Sequence, residues 1–345
     1  MNPRVERLHE SLDEPLLVST GANLRYLTGF SSSNAALLVE PDRLRLFSDF
    51  RYSDAARAVE GVEYVETRRN LYASLSELLS GRIGFEANDL TYAQYEALGA
   101  GGLELVPRRG LVEALRAVKE DGELEAIRAA AAITSEAYAR FADERFTGRT
   151  ERDLAWTLDQ LFHELGAEGP AFETIVAGGA NGARPHSRPS DRVVEPGETV
   201  VVDAGARVDG YCADCTRTFA TGPLPDRLEE AYTACREGQE AGLLGVLAGA
   251  SGVEADAAAR TVIESAGFGE EFGHGLGHGI GLDVHEAPRL SRESDDTLAT
   301  GNVVTVEPGI YLPGLGGVRI EDLVVVTEDG PEILTTFTKD LVTVD

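Results

Sequence analysis

Two pairs of acidic residues, each straddling a turn, constrain this chain more than any other feature. The run Thr199-Val200-Val201-Val202-Asp203 is β-branched and reads as a buried strand. Asp209-Gly210 marks a turn, and Tyr211 to Phe219 reads as the returning strand. With the hairpin centred between Val208 and Asp209, Asp203 is predicted to stand opposite Asp214. A second hairpin repeats the pattern, with residues 302–307 leading out, Pro313-Gly314 at the turn and Val318-Arg319-Ile320-Glu321 returning. Centred on residue 314, it sets Glu307 opposite Glu321. Facing residues on antiparallel strands hold their Cβ atoms about 5 Å apart, and like charges placed this way destabilise a sheet. Taken singly, any one of the four reads better as an exposed hairpin carboxylate in an acidic protein. Two facing pairs together call for compensating divalent cations.

The histidines fall beside these hairpins. Of six in the chain, His186 lies in a glycine-rich stretch beginning at Gly178, and His274, His278 and His285 lie in another spanning Phe272 to Glu286. Glycine lets a backbone approach a ligand closely, so histidines clustered in such loops point to a site. His9 and His163 sit in helical patterns and read as ordinary polar positions.

Strand and helix signals alternate through residues 1–118, with strands near 16–18, 35–39, 44–47, 63–65, 83–85 and 103–106, an α/β layout. Residues 119–345 carry two amphipathic helices before 165, the second opening at the N-cap Thr150, and two more over 225–249 and 253–267. These helices and the repeated carboxylate hairpins predict a pseudo-symmetric α+β domain. Ala129–Ala132 reads as a helix packing face. Cys212 and Cys215 have the spacing of a redox or zinc motif, but residues i and i+3 of a strand point to opposite faces, so buried free thiols are expected.

These motifs resemble the metallopeptidase family that includes methionine aminopeptidase, aminopeptidase P and prolidase, which share the pita-bread fold. The resemblance is carried by Asp203-Ala-Gly-Ala, the stretch from Gly210 through Asp214 to Phe219, His274-Gly-Leu-Gly-His278-Gly-Ile-Gly-Leu, Val284-His285-Glu286 and Glu307-Pro-Gly-Ile-Tyr311. Asn23 to Phe30 and Phe47 to Tyr52 are similar to the creatinase-like N-terminal domain of the proline-specific branch. The resemblance implies an α/β creatinase-like domain over 1–118 and a pita-bread catalytic domain over 119–345.

It also implies that Asp203 binds one ion, that His278 and Glu307 bind another, and that Asp214 and Glu321 bridge the two. Donors that are all oxygen or imidazole favour Mn²⁺, with Co²⁺ and Zn²⁺ within the same chemistry. Such a pair of ions holds a shared hydroxide and polarises a scissile carbonyl. Glu307 is then the general base, and His186 and His285 are donors to the reacting carbonyl. Thr216 and Arg319 lie two residues from Asp214 and Glu321 on the same strand faces, positions suited to orienting those carboxylates. Tyr211 and His274 are further candidates for that role. Arg289 resembles the residue with which prolidases grip the C-terminal carboxylate of an Xaa-Pro dipeptide. Hydrolysis of Xaa-Pro dipeptides is therefore expected, with aminopeptidase P activity on longer peptides as the alternative. A metal-free creatinase-type hydrolase, or a non-catalytic binding module on this scaffold, would lack the five ligands.

Composition sets the surroundings. The net charge of −28 argues against a nucleic-acid partner, whose phosphates it would repel. No apolar run approaches the length that spans a membrane. Residues 1–13 are charged throughout, without the apolar core of a signal peptide, so a cytoplasmic location is expected. The family resemblance further implies a homodimer.

Overall fold

The computed structural model describes residues 2–345, and the chain divides into two compact units, Met1–Arg116 and Ala117–Asp345. In the first unit six strands form one mixed sheet in the order Glu63–Thr67, Leu44–Asp49, Ala35–Val39, Leu16–Val18, Arg82–Glu86, Glu104–Arg108. These are the six apolar runs of the sequence. Leu17, Leu38 and Phe47 of the sheet pack on Leu71 and Leu75 of the helix Leu71–Leu78. Each such side chain contributes about 2 kcal/mol by leaving water.

The helix Pro3–His9, which bears out the helical pattern around His9, and one that periodicity did not reveal, Gly21–Thr28, complete the unit. The second explains why. Its N-cap, Thr20, makes no side-chain cap; instead Glu86, at the end of a distant strand, accepts from the backbone N–H groups of Ser19 and Thr20, both at 2.7 Å. A cap supplied from so far along the chain leaves no local signature.

The second unit runs twice through the same plan, a helix pair followed by antiparallel strands. The pairs are Asp121–Phe141 with Glu151–Glu164, and Asp226–Gly245 with Gly252–Ser265. Local chemistry starts three of these helices. The Thr150 side chain accepts from Asp153 N, and capping boxes link Glu120 to Glu123 and Ser251 to Glu254. Ala130 and Ala131 are buried against Ile280, Val303 and Leu323, as the alanine run predicts. Cys215 packs with Val202 and Phe219, whereas Cys212 packs with Ile127 and Leu323. The two thiols therefore belong to different cores, and burial pushes both up to about 12.

The first acidic hairpin departs from its expected register. Val208 pairs with Tyr211, so the turn is centred between Asp209 and Gly210. Both turn residues have positive φ, 46° and 72°, the conformation a two-residue turn of the primed type demands. That centre sets Asp203 opposite Thr216, not Asp214. The returning strand is also interrupted: Tyr211–Cys212 and Thr216–Ala220 are strands, and residues 213–215 between them are not. Asp214 therefore lies diagonally from Asp203 on the same face.

The second hairpin keeps the expected register. Gly309 pairs with Arg319 and Leu312 with Gly316, while Val306 pairs with Asp322 in the neighbouring ladder. Glu307 and Glu321 fall opposite each other in the gap between the two ladders.

Candidate metal centre

Asp203, Asp214 and Glu321 each bring one carboxylate oxygen to within 4.8 Å of the others. At that separation two charges repel by roughly 3 kcal/mol at an effective dielectric near 20. Glu307 and His278 complete the group: His278 Nε2 lies 3.2 Å from Glu307 Oε1 and 3.8 Å from Asp214 Oδ2. Four of the five line one cleft of about 540 Å³, and the fifth, Glu321, is buried.

The strands fix this geometry. His278 sits on the short strand Gly277–Gly279, which is flanked by backbone on both sides. A Cβ at Gly277 would lie 2.0 Å from the Thr305 carbonyl oxygen, and one at Gly279 would lie 2.2 Å from that of Ala287. Glycine on either side of His278 is thus required by close approach. The His278 backbone N–H donates to Thr305 Oγ1 at 3.0 Å, and the same hydroxyl donates to Glu307 Oε1 at 3.2 Å. Nδ1 of the ring is engaged by the Gly279 carbonyl at 3.0 Å, which leaves Nε2 facing the carboxylates.

Arg319 is the hub behind them. Its Nη2 donates to Asp203 Oδ2 at 2.6 Å, its Nε to Thr216 Oγ1 at 3.0 Å, and its Nη1 to the Tyr311 hydroxyl and the Pro185 carbonyl at 3.0 and 3.1 Å. Thr216 Oγ1 in turn donates to Glu321 Oε2 at 2.8 Å. His274 Nε2 meets the Tyr311 hydroxyl at 3.0 Å. Thr216, Arg319 and His274 therefore surround the cluster where the sequence put them. Tyr211 does not join this set. Its hydroxyl donates to Glu123 at 2.9 Å on the helix Asp121–Phe141, and its ring packs among Ile127, Ala213 and Leu323. Adjacency to the turn was a poor guide, because a strand residue's facing is set by register.

Tyr311 and Thr305 were missed as orienting groups. Tyr311 stands within the Glu307 motif, and Thr305 lies two residues before Glu307, the spacing that identified Thr216. Burial, against the pull of Arg319, pushes the Tyr311 phenol up to about 12, so it stays protonated.

The electrostatics divide the carboxylates into two kinds. Burial, then the charges of Glu321, Asp203 and Glu307, push Asp214 well above the usual carboxylate range. Glu321 is pushed the same way by burial, then by Glu307 and Asp203. Burial acts on Glu307 in that direction too, but the hydrogen bond and charge of His278 outweigh it and hold the group low.

Three buried carboxylate oxygens, Asp203 Oδ1, Asp214 Oδ1 and Glu321 Oε1, have no hydrogen-bond donor among the described residues. Buried carboxylate oxygens are ordinarily paired or coordinate a cation. Three carboxylates that each carry an orphaned oxygen, with the imidazole Nε2 and Glu307 beside them, form an oxygen- and nitrogen-donor set that fits hard or borderline divalent cations.

His186, His285 and Arg289 stand in the cleft wall, all exposed. The ring of His285 lies 4.3 Å from that of His278. Partial burial of the ring, then the charge of His278, holds it below the usual histidine range. Arg289 faces His278 across the ladder, so both side chains project into the cleft. Among the described residues its guanidinium has no acidic partner. Phe172, Ile175 and Val284 supply apolar wall.

A buried cluster of four carboxylates and an imidazole, carried on two hairpins of a twice-repeated helix-pair and strand plan, defines a metallohydrolase of the pita-bread type. The chain belongs to metallopeptidase family M24: residues 125–328 match that family's model, and residues 4–118 match the creatinase/prolidase N-terminal domain. It is 38 % identical to the uncharacterized peptidase YqhT of Bacillus subtilis over 95 % of both chains. Among solved structures, an Xaa-Pro dipeptidase from Bacillus anthracis superposes with a TM-score of 0.95 at 38 % identity, over 99 % of each chain. An X-Pro aminopeptidase from Thermotoga maritima superposes with a TM-score of 0.88 at 36 % identity, over 98 % of this chain and all of the other.

Proposed function

We propose that this metallopeptidase hydrolyses Xaa-Pro dipeptides. The observation that carries the substrate reading is Arg289, whose guanidinium lines the cleft opposite His278 and has no acidic partner among the described residues. An Xaa-Pro bond has no amide N–H, so peptidases that rely on that hydrogen bond handle it poorly. Recognition must come from apolar wall for the proline ring, here Phe172, Ile175 and Val284, and from the substrate's charged ends. A dipeptide places its carboxylate one residue beyond the scissile bond, where Arg289 can take it in a bidentate pair.

Asp203, Asp214, His278, Glu307 and Glu321 would hold two divalent cations, for which we propose Mn²⁺. Bound there, they would lower the pKa of water and polarise the scissile carbonyl. Glu307, kept ionised beside His278, accepts the proton of the attacking water. As the carbonyl carbon becomes tetrahedral its oxygen needs a donor. His285 and His186 supply one, and a neutral His285 keeps one ring N–H for that purpose. Arg319 and Thr216 hold Asp203 and Glu321 at fixed orientation.

The comparison with an X-Pro aminopeptidase of 36 % identity supports a second reading, removal of the first residue from longer Xaa-Pro peptides. Kinetics on Ala-Pro and Ala-Pro-Ala separate the two: the dipeptidase reading expects a higher kcat/KM for Ala-Pro and fails if the tripeptide is strongly preferred. Arg289→Ala should raise KM for Ala-Pro by about tenfold or more, the scale of a lost charge-assisted hydrogen bond, and leave Ala-Pro-Ala nearly unaffected. We further propose a cytoplasmic homodimer. Three buried, unpaired thiols fit a reducing compartment, and no helix among the described residues is long and apolar enough to cross a membrane.

A further inference from the structure

The loop of residues 178–192 carries His186, and its two ends meet at one buried carboxylate. Glu151, in the first turn of the helix Glu151–Glu164, is fully buried. Its Oε1 accepts from Gly178 N at 2.9 Å and from Asn181 Nδ2 at 3.0 Å. Its Oε2 accepts from Asn181 Nδ2 at 3.0 Å, from Ser190 N at 3.1 Å and from Ser190 Oγ at 2.6 Å. A carboxylate offers about four lone-pair sites, so five donor contacts leave it saturated. The departing strand and the returning segment are thereby tied to the same two oxygens.

The middle of the loop is fixed separately. Pro185 O, the carbonyl of the peptide leading into His186, accepts from Arg319 Nη1, whose other terminal nitrogen holds Asp203. Three residues earlier, the Gly182 carbonyl packs so closely on Gly317 that a Cβ on Gly317 would lie 1.9 Å away. His186 itself is exposed, and among the described residues its side chain has no hydrogen bond or ion pair to orient it. Its place over the carboxylates is therefore inherited from the loop backbone.

We propose that Glu151 is a positioning residue that sets His186 over the metal centre by closing this loop. The proposal rests on His186 acting on the substrate. Glutamine at 151 would turn an N–H₂ toward groups that are themselves donors, so the closure should loosen although the side-chain volume is kept.

A double-mutant cycle on the manganese-loaded full chain, with Ala-Pro as substrate, tests it. Glu151→Gln is expected to lower kcat/KM by about tenfold or more, the scale of a small misplacement of a reacting group. Hydrogen exchange at Gly178 and Ser190 should speed up, with bound manganese unchanged. In the His186→Ala background the same substitution should cost less than about threefold, because coupled residues do not add. Equal losses in both backgrounds overturn the proposal, as does an unchanged kcat/KM in Glu151→Gln alongside faster exchange. Asn181→Ala and Ser190→Ala, which remove only part of the closure, run the same cycle if Glu151→Gln fails to fold. A wild-type rate for His186→Ala would remove the catalytic reading beneath the proposal. That result is distinct from additivity, in which His186 matters and Glu151 acts elsewhere.

Discussion

The two acidic hairpins are built alike and solve the same electrostatic problem differently. In the second, Glu307 and Glu321 face each other at a gap between two ladders. In the first, Asp203 faces Thr216, and Asp214 sits one step away in a break of the returning strand. The compensating groups are exchanged between them. Arg319 of the second hairpin holds Asp203 of the first, while Thr216 of the first donates to Glu321 of the second. The Glu321 backbone N–H also donates to the Thr216 carbonyl at 3.1 Å. Neither hairpin makes a site alone. The centre belongs to the seam between them, where Asp203 and Glu321 each take a brace from the opposite strand pair.

The largest expected effect comes from the two carboxylates with no cationic brace of their own. Asp214→Asn or Glu321→Gln should reduce Xaa-Pro hydrolysis to the uncatalysed background and lower metal content. In metal-stripped protein the same substitutions should raise Tm above that of the stripped wild type, since each removes a buried carboxyl that must either stay ionised against its neighbours or take up a proton on folding. A lower Tm for both would mean that these carboxylates stabilise the fold without metal. Breaking the exchange from the other side, Arg319→Lys keeps the charge but loses the fork that joins Asp203, Thr216, Tyr311 and Pro185. It should cost about 10–100-fold in metal affinity or kcat/KM. Thr216→Val should cost about tenfold in metal affinity, measured by manganese titration. Tyr211→Phe, on the first hairpin but turned away to Glu123, should leave kcat/KM near wild type and lower stability by about 1 kcal/mol. A large activity loss there would return Tyr211 to the centre.

How much of this was legible in the sequence differs between the hairpins for a physical reason. The second announces its centre with Pro313-Gly314, and its register follows. In the first, Asp209-Gly210 was visible, but the centre depends on both residues taking positive φ, a backbone property that shifts the register and puts Thr216 where Asp214 was expected. The set of converging acids survived that error because a diagonal neighbour on the same face is still close. Thr216 and Arg319 were readable from period-two spacing, and the same rule would have found Thr305. The roles of Glu86 and Glu151 were not readable. Each acts on backbone N–H groups far along the chain, and no local pattern records such partners.

The two-ion centre that we propose spans the hairpin seam on four carboxylates and His278. Calorimetric titration of metal-stripped protein with Mn²⁺ tests it most directly. Two ions are expected per wild-type chain, with a reduced number or sharply weaker affinity in Glu321→Gln. No binding by the wild type, or a titration that Glu321→Gln leaves unchanged, would contradict it.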